Sequence, residues 1–339
     1  MKFFEATNKK NAGLENIKES MDEQYDFHPK TFDQYLGQKE LKPKLEVYTK
    51  AAIMRNEPLD HMLFFGPPGL GKTTIAQIMA HMMNVNIRIC NGPMIERTGD
   101  IVAILSSLEP KEILFIDEIH RMSTVVEEVL YNAMEHFKVD IIIGQGAGAK
   151  SVNLPIAPFT LIGATTKTGM ISAPLRTRFG IMERLDYYDN DELQAIIMQN
   201  ADFLKLQITP DAALSIGRAA RGTPRIAKKL LRRVRDYAQV NNIGILDNDV
   251  IIKALHFLSI DKDGLTSVDY LIIKALLERF DGGPAGIETL AAIVGEDKDT
   301  LEDAYEPFLI RCGYLEKTSR GRQIPGKQIL HFKKIFLNQ

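Results

Sequence analysis

Gly66-Pro67-Pro68-Gly69-Leu70-Gly71-Lys72-Thr73 fits G-x-x-x-x-G-K-[ST], a loop that wraps phosphates in bare backbone N–H groups. Before it, His61-Met62-Leu63-Phe64-Phe65 is a short apolar run of the kind that forms a buried strand. After it, Thr74-Ile75-Ala76-Gln77-Ile78-Met79-Ala80 opens a helical pattern. Strand, glycine loop and helix is the setting in which the motif binds a nucleotide. The loop amides, Gly69 and Gly71 among them, and the helix N-terminus take the phosphates. Lys72 reaches between the β- and γ-phosphates, and the Thr73 hydroxyl ligates a magnesium ion. ATP and Mg2+ are the expected ligands.

Working downstream, Ile113-Leu114-Phe115-Ile116 reads as a second buried strand that ends in Asp117-Glu118. Ligands of open α/β sheets bind at that strand end. There Asp117 can hold magnesium through water, and Glu118 can polarise a water that attacks the γ-phosphate. Adjacent acids at this place point to hydrolysis rather than to a kinase. Phe159-Thr160-Leu161-Ile162-Gly163-Ala164 is a third such strand and ends in Thr165-Thr166, whose hydroxyls suit orientation of the water. Arg178, in Leu175-Arg176-Thr177-Arg178-Phe179-Gly180, closes a helix before a glycine stop. Arg225, after Gly222-Thr223-Pro224, lies in the first turn of another helix. An arginine spreads charge onto the γ-oxygens in a hydrolysis transition state. Spacing alone leaves both arginines open between that role and a surface one.

The apolar runs 62–65, 86–90, 112–116 and 159–164 alternate with helical patterns near 72–84, 99–108 and 123–136. That alternation predicts an α/β fold, a parallel sheet with helices on its faces. Residues 1–26 are polar and aperiodic and read as a flexible arm. Asp189-Asn190-Asp191-Glu192 starts a helix, and 189–259 reads as a small all-helical domain without strands. Beyond the polar linker Asp261-Lys262-Asp263-Gly264 come helical patterns at 267–280, 286–294 and 299–311. A turn at Ser319-Arg320-Gly321-Arg322 then sits between extended flanks. Three helices and a basic hairpin outline a winged-helix module over 262–339. The segment 139–152 reads as a β-hairpin with a glycine-rich tip.

The 339 residues, 45% hydrophobic and 25% charged, suit a globular chain of two or three domains. Net charge is −2, so a nucleic-acid partner is not announced by bulk charge. Local charge differs: 218–235 carries eight Lys/Arg and no acid, and 311–339 carries seven with the single acid Glu316. Such runs are solvated faces or phosphate-binding patches. Cys90 and Cys312 form no ligand or redox motif, and two free thiols fit a reducing cytoplasm. Neither a signal peptide nor an apolar stretch of membrane-spanning length is visible, and no H-E-x-x-H marks a zinc protease.

The strings GPPGLGKT, ILFIDEIHR, LIGATT, PLRTRFG and RGTPRIA, in this order, resemble the AAA+ ATPases. GPMIE, VVEEVLY, RGTPRIAKKLLRRVRDYAQV and EPFLIRCGYLEKTSRGR narrow the resemblance to the RuvB family, motors of bacterial Holliday-junction branch migration. The last string lies outside the ATPase core and separates that family from other AAA+ proteins. The resemblance implies a large AAA+ domain at 27–188, a helical lid at 189–259 and a winged-helix head at 262–339. It implies phosphate and magnesium roles for Lys72, Thr73 and Thr74, a metal-water role for Asp117 and a catalytic role for Glu118. It makes Thr166 the first sensor, Arg225 the second, and Arg178 a finger that enters the neighbouring subunit's site. Tyr188 is similar to the family's adenine-side contact at the domain hinge. Lys317 and Arg322 match DNA-contacting positions on the wing, with Arg320 between them. Also implied are a ring, in the family a hexamer, duplex DNA at four-way junctions, a RuvA-like protein docked on the 139–152 hairpin, and a RuvC-like resolvase. The sequence departs from the family pattern at His28, Asn132 and His136, where Arg, Pro and Asp are usual.

Two other readings share the nucleotide motifs. A clamp loader or related AAA+ machine should lack the winged-helix end. A nucleotide-switched winged-helix regulator should prefer one operator over random duplex.

Overall fold

A computed structural model of the chain describes residues 27–143 and 150–337; the arm expected at 1–26 and the tip of the 139–152 hairpin lie outside the described residues. The apolar runs form β1 (Met62–Phe65), β2 (Ile87–Asn91), β3 (Ile113–Asp117) and β6 (Thr160–Thr165). With β7 (Ile181–Arg184) they make one parallel sheet in the order β2-β3-β6-β1-β7. Met62, Leu63, Phe64 and Ile113 to Ile116 are fully buried, as strands covered on both faces must be. The covering helices include α1 (Leu41–Arg55), α2 (Lys72–Met83), α3 (Thr98–Ser106) and α4 (Thr124–His136). Ile101 and Leu105 of α3 and Val126 and Leu130 of α4 pack with Leu114 and Ile116 in one apolar core.

The parallel register fixes where the chemistry lies. Phe65 pairs with Thr165 and Ile116 with Gly163, so the C-terminal ends of β1, β3 and β6 share one sheet edge. The phosphate loop, the acidic pair and the two threonines leave the sheet at that edge. β4 (Lys138–Ile143) and β5 (Lys150–Pro155) form the expected antiparallel hairpin, with Val139 opposite Leu154.

The chain divides into two compact units. One runs to Lys205 and adds Gly222–Lys229; the other comprises Leu206–Arg221 and the chain from Leu230. The first unit holds α5 (Ala173–Thr177) and α6 (Asn190–Phe203), whose N-cap Asp189 accepts from Glu192 N–H. It keeps α6 because Phe27 N–H donates to Asn200 Oδ1 at 3.0 Å and the Phe27 and Phe203 rings meet edge to face. Within it Lys228 also donates to the Phe27 carbonyl at 2.9 Å.

The second unit contains α7 (Pro210–Ala219), most of α8 (Pro224–Val240) and α9 (Asn248–Phe257). The strand-free reading of this stretch needs correction. Gln207–Ile208 (β8) and Ile245–Leu246 (β9) pair in parallel, each too short to leave an alternating pattern. Next come α10 (Ser267–Phe280), α11 (Ile287–Val294) and α12 (Lys298–Thr300), which continues through a π-helical turn at Leu301–Tyr305 into α13 (Glu306–Arg311). The wing is β10 (Glu316–Thr318) paired antiparallel with β11 (Gly321–Gln323). A further helix, α14 (Gly326–Leu337), follows it. Phe332 of α14 is fully buried with Leu276, Leu309 and Leu315, so this helix completes the core of the winged-helix region.

Candidate nucleotide site and wing

The phosphate loop depends on glycine at two places. Gly69 has φ +75°, and a Cβ there would stand 2.8 Å from Thr223 Cγ2 and 3.0 Å from Arg225 Cβ. Gly71, at φ +100°, directly precedes α2, and a Cβ there would meet the Tyr35 hydroxyl at 2.7 Å. Both positions combine a left-handed backbone with a neighbour that leaves no room for a side chain. Gly66 N–H donates to the Thr165 carbonyl at 3.2 Å, which fastens the loop to β6.

Lys72 is buried and turned into its own loop, donating to the Gly66 and Pro67 carbonyls at 2.8 and 2.9 Å. Burial pulls its ammonium below the ordinary lysine range, while Asp117 and Glu118 pull the other way and Arg225 adds to the lowering. A desolvated cation facing two acids at a glycine loop suits a polyanionic ligand. Thr73 and Thr74 follow in the first turn of α2, both half-buried.

Asp117 ends β3 and accepts from Glu118 N–H at 2.9 Å. Thr73 and Asp117 offer a hydroxyl and a carboxylate, hard oxygen donors that suit Mg2+ when phosphates and water fill its other positions. Among the described residues no cluster of three or more His, Cys, Asp or Glu could hold an ion alone. The hydroxyl of Thr73 and the carboxylate of Asp117 are donors that would fit a magnesium ion. Glu118 keeps an exposed edge, and Thr166 Oγ1 donates to its Oε2 at 3.3 Å. The structure thus joins the acid at the end of β3 to the threonine at the end of β6.

Arg225 is exposed in the first turn of α8, and its N–H approaches the Gly69 carbonyl at 3.4 Å. Tyr188 is buried: its N–H donates to Gly222 and its hydroxyl donates to the Leu70 carbonyl at 3.1 Å. The Tyr35 hydroxyl lies 2.7 Å from the Tyr188 hydroxyl. Burial pushes Tyr188 up to about 12 and raises Tyr35 well above the ordinary tyrosine range. This neutral pair braces the backbone of the phosphate loop.

Arg178 follows α5 with ordinary helical backbone, φ −87°. Gly180 is not in the left-handed region, so the expected glycine stop is absent and Arg178 itself is the C-cap. Its Nη1 donates to the Pro174 carbonyl at 3.0 Å, its Nη2 to Glu135 Oε2 at 2.9 Å, and its guanidinium lies 4.7 Å from the Tyr131 ring centroid.

On the wing, Lys317 and Arg320 are exposed, and Lys317 stands opposite Arg322 in the ladder. Arg322, at a position the resemblance gives to DNA contact, is turned inward. It is 7% exposed and donates through Nε and Nη2 to Glu306 at 3.0 Å each, and through Nη2 to Glu302 at 2.6 Å. Two carboxylates from the preceding helical segment draw it inward.

Sequence reasoning did not single out Tyr35, His120, Tyr131 or Glu135. The only sequence signal is for Tyr131 and Glu135, four apart and so on one face of α4.

Comparison with known proteins matches nearly the whole of the described chain. Residues 27–185 match a family described as the Holliday junction DNA helicase RuvB P-loop domain. Residues 188–261 match the RuvB AAA lid domain, and 262–333 the RuvB C-terminal winged helix domain. A Holliday junction branch migration complex subunit RuvB from Fusobacterium nucleatum is 50% identical over 92% of this chain and 94% of its own. That of Clostridium kluyveri is 49% identical over 94% of this chain and 91% of its own. The solved Thermotoga maritima RuvB Holliday junction branch migration motor superposes with a TM-score of 0.80 at 44% identity, covering 90% of this chain and 98% of that one.

Proposed function

The chain belongs to the RuvB family of AAA+ ATPases, and on that basis we propose that it is the ATP-driven motor of Holliday-junction branch migration. The observation that carries this reading is the joining, at one sheet edge, of a phosphate loop, an acidic pair and a sensor threonine, in a chain that also carries a basic wing. Lys72, Thr73 and Thr74 hold the triphosphate, with Gly69 and Gly71 shaping the loop. Thr73 and Asp117 hold Mg2+, which neutralises charge on the β- and γ-phosphates when bound. Glu118 polarises the attacking water and Thr166 orients it. Arg225 reads the γ-phosphate, and Tyr188 fixes the adenine side through the loop it braces.

Arg178 acts on the nucleotide of an adjacent protomer, so activity requires a ring, which we take to be a hexamer. Lys317, Arg320 and Arg322 form the DNA-facing wing; the first two supply exposed charge, and Arg322 holds the wing in shape. A wing that contacts phosphates without reading bases has an affinity that falls steeply with salt. The 139–152 hairpin docks a RuvA-like junction-binding protein, and a RuvC-like resolvase acts on the same junction. The lid spans 189–259 and the head begins at 262, close to the family boundaries. No helix among the described residues is long and apolar enough to cross a membrane. In this reading the chain works on DNA in the cytoplasm.

The test is ATP-dependent dissociation of a synthetic four-way junction, with and without the junction-binding partner. Migration that needs ATP and is stimulated by the partner is expected. Equal action on linear duplex, or preference for one operator from a random-site pool, would favour the clamp-loader or regulator reading.

A further inference from the structure

His120 lies two residues beyond Glu118, is 8% exposed, and has no part in the roles assigned above. Its Nδ1 is hydrogen-bonded to Thr165 Oγ1 at 2.9 Å and stands 3.1 Å from Glu118 Oε2. That same Oε2 receives the Thr166 hydroxyl. Thr165 Oγ1 also accepts from Lys167 N–H at 3.0 Å. The hydrogen bond of Nδ1 is the one to Thr165 Oγ1; Glu118 Oε2 stands beside it at ion-pair distance, where a proton on Nδ1 is favoured over a lone pair facing the carboxylate. Burial holds the imidazole below the ordinary histidine range although Glu118 pulls it up, which favours the neutral ring with one N–H.

The backbone of Glu118 is equally constrained. Its φ is +48°, in the left-handed region, and its carbonyl would meet a Cβ on Gly92 at 2.4 Å. A strained residue persists where its surroundings over-determine it. Here those surroundings comprise a glycine that admits the carbonyl, a threonine hydroxyl that donates to one carboxylate oxygen, and the His120 ring beside that oxygen.

We propose that His120 is a positioning residue for Glu118. With the Thr166 hydroxyl it fixes Oε2, so that Oε1 serves the attacking water. Through Thr165 it ties that setting to the end of β6, which carries the sensor. The inference rests on Glu118 being the hydrolytic acid.

The experiment measures DNA-stimulated ATP turnover of full-length rings carrying His120→Asn, His120→Phe, Thr165→Val, Glu118→Gln, or His120→Phe with Glu118→Gln. Asn keeps an N–H near the Nδ1 position; Phe keeps the ring's volume and no donor. His120→Asn is expected within about threefold of the parent kcat. His120→Phe is expected to lose about 10–100-fold in kcat, the usual effect of removing an orienting partner, with KM for ATP changed less than about twofold. In the Glu118→Gln background the Phe substitution should change residual turnover by less than about twofold, because the residues act as a unit. Thr165→Val, nearly isosteric, should lower kcat several-fold and covers the case in which the Phe variant folds poorly.

A histidine that only fills space predicts the opposite ranking, Phe above Asn. That ranking, equal losses in both, or undiminished kcat in both His120→Phe and Thr165→Val overturns the proposal. Full turnover by Glu118→Gln would instead remove the underlying assignment of the acid. An inactive Glu118→Gln beside a fully active His120→Phe removes only the role of His120.

Discussion

Arg178 and Glu135 meet at 2.9 Å across the gap between α5 and α4, with the guanidinium also stacked on Tyr131. The residue expected to act on a neighbour's nucleotide is thus held in a fixed pose by its own chain. The pair is partly open to solvent, so its own contribution to stability is about 0.2–1 kcal/mol. Its value lies in aiming a long side chain, since a guanidinium already ordered loses less freedom when it meets a phosphate.

Glu135→Gln should therefore leave the melting temperature nearly unchanged and reduce ATP turnover of saturated rings by less than about tenfold. Arg178→Ala should reduce it by about 10³ or more while ATP still binds, the usual worth of such a finger. Turnover by the purified variants, with binding followed by a fluorescent ATP analogue, checks both. A Glu135→Gln loss as large as that of Arg178→Ala would show that the acid itself is part of the chemistry.

The two wing arginines should separate cleanly. Arg320 is exposed, so Arg320→Ala should flatten the salt dependence of duplex binding by about one unit of slope with no change in melting. Arg322→Ala leaves Glu306 buried without its partner and should cost about 3 kcal/mol of stability in addition to weakening DNA binding. Salt titrations of DNA binding and denaturant unfolding measure the two effects. Equal stability of the two variants would contradict the inward placement of Arg322.

Acid should destabilise the protein through His61. Leu161 N–H donates to its Nδ1 at 2.8 Å, and its Nε2 faces the Met134 carbonyl at 3.2 Å. Burial lowers its pKa, against the opposing pull of Met134 and Asp60. The unfolded chain therefore takes up this proton near pH 6.5 while the folded chain does not. Stability is fully present above that pH and falls below it, by at most about 1.4 kcal/mol per pH unit until the folded group titrates. His120, also lowered, contributes in the same direction. Urea midpoints at pH 7.5, 6.5 and 5.5 should fall less steeply for His61→Asn than for the parent; parallel curves would dissociate His61 from the acid limb.

What could be read in advance follows from where each signal is encoded. β1, β3 and β6 are local apolar runs buried on both faces, and the phosphate loop and acidic pair follow them directly in sequence. β7 leaves no clear strand signal because Ile-Met-Glu-Arg at the sheet edge alternates between half-buried and exposed residues and mixes charge into the strand. α1 leaves a weak signal because its buried face is only Leu41, Leu45, Thr49 and Ala52 in an otherwise polar run. In sequence α14 shows a charge run, although Phe332 anchors it in the core. The residues that orient the chemistry came least into view. Tyr35 with Tyr188, Glu135 with Arg178, and His120 with Thr165 are joined only by the fold, across 153, 43 and 45 residues.

The central claim is that one protomer's Arg178 serves the nucleotide held by the next protomer's Lys72. ATP turnover of mixed assemblies tests it most directly. Arg178→Ala and Lys72→Ala protomers, each nearly inactive alone, should recover partial turnover when mixed, with a maximum at an intermediate ratio, because some interfaces then pair an intact loop with an intact finger. Turnover that stays at the sum of the two separate variants across all ratios would contradict the claim.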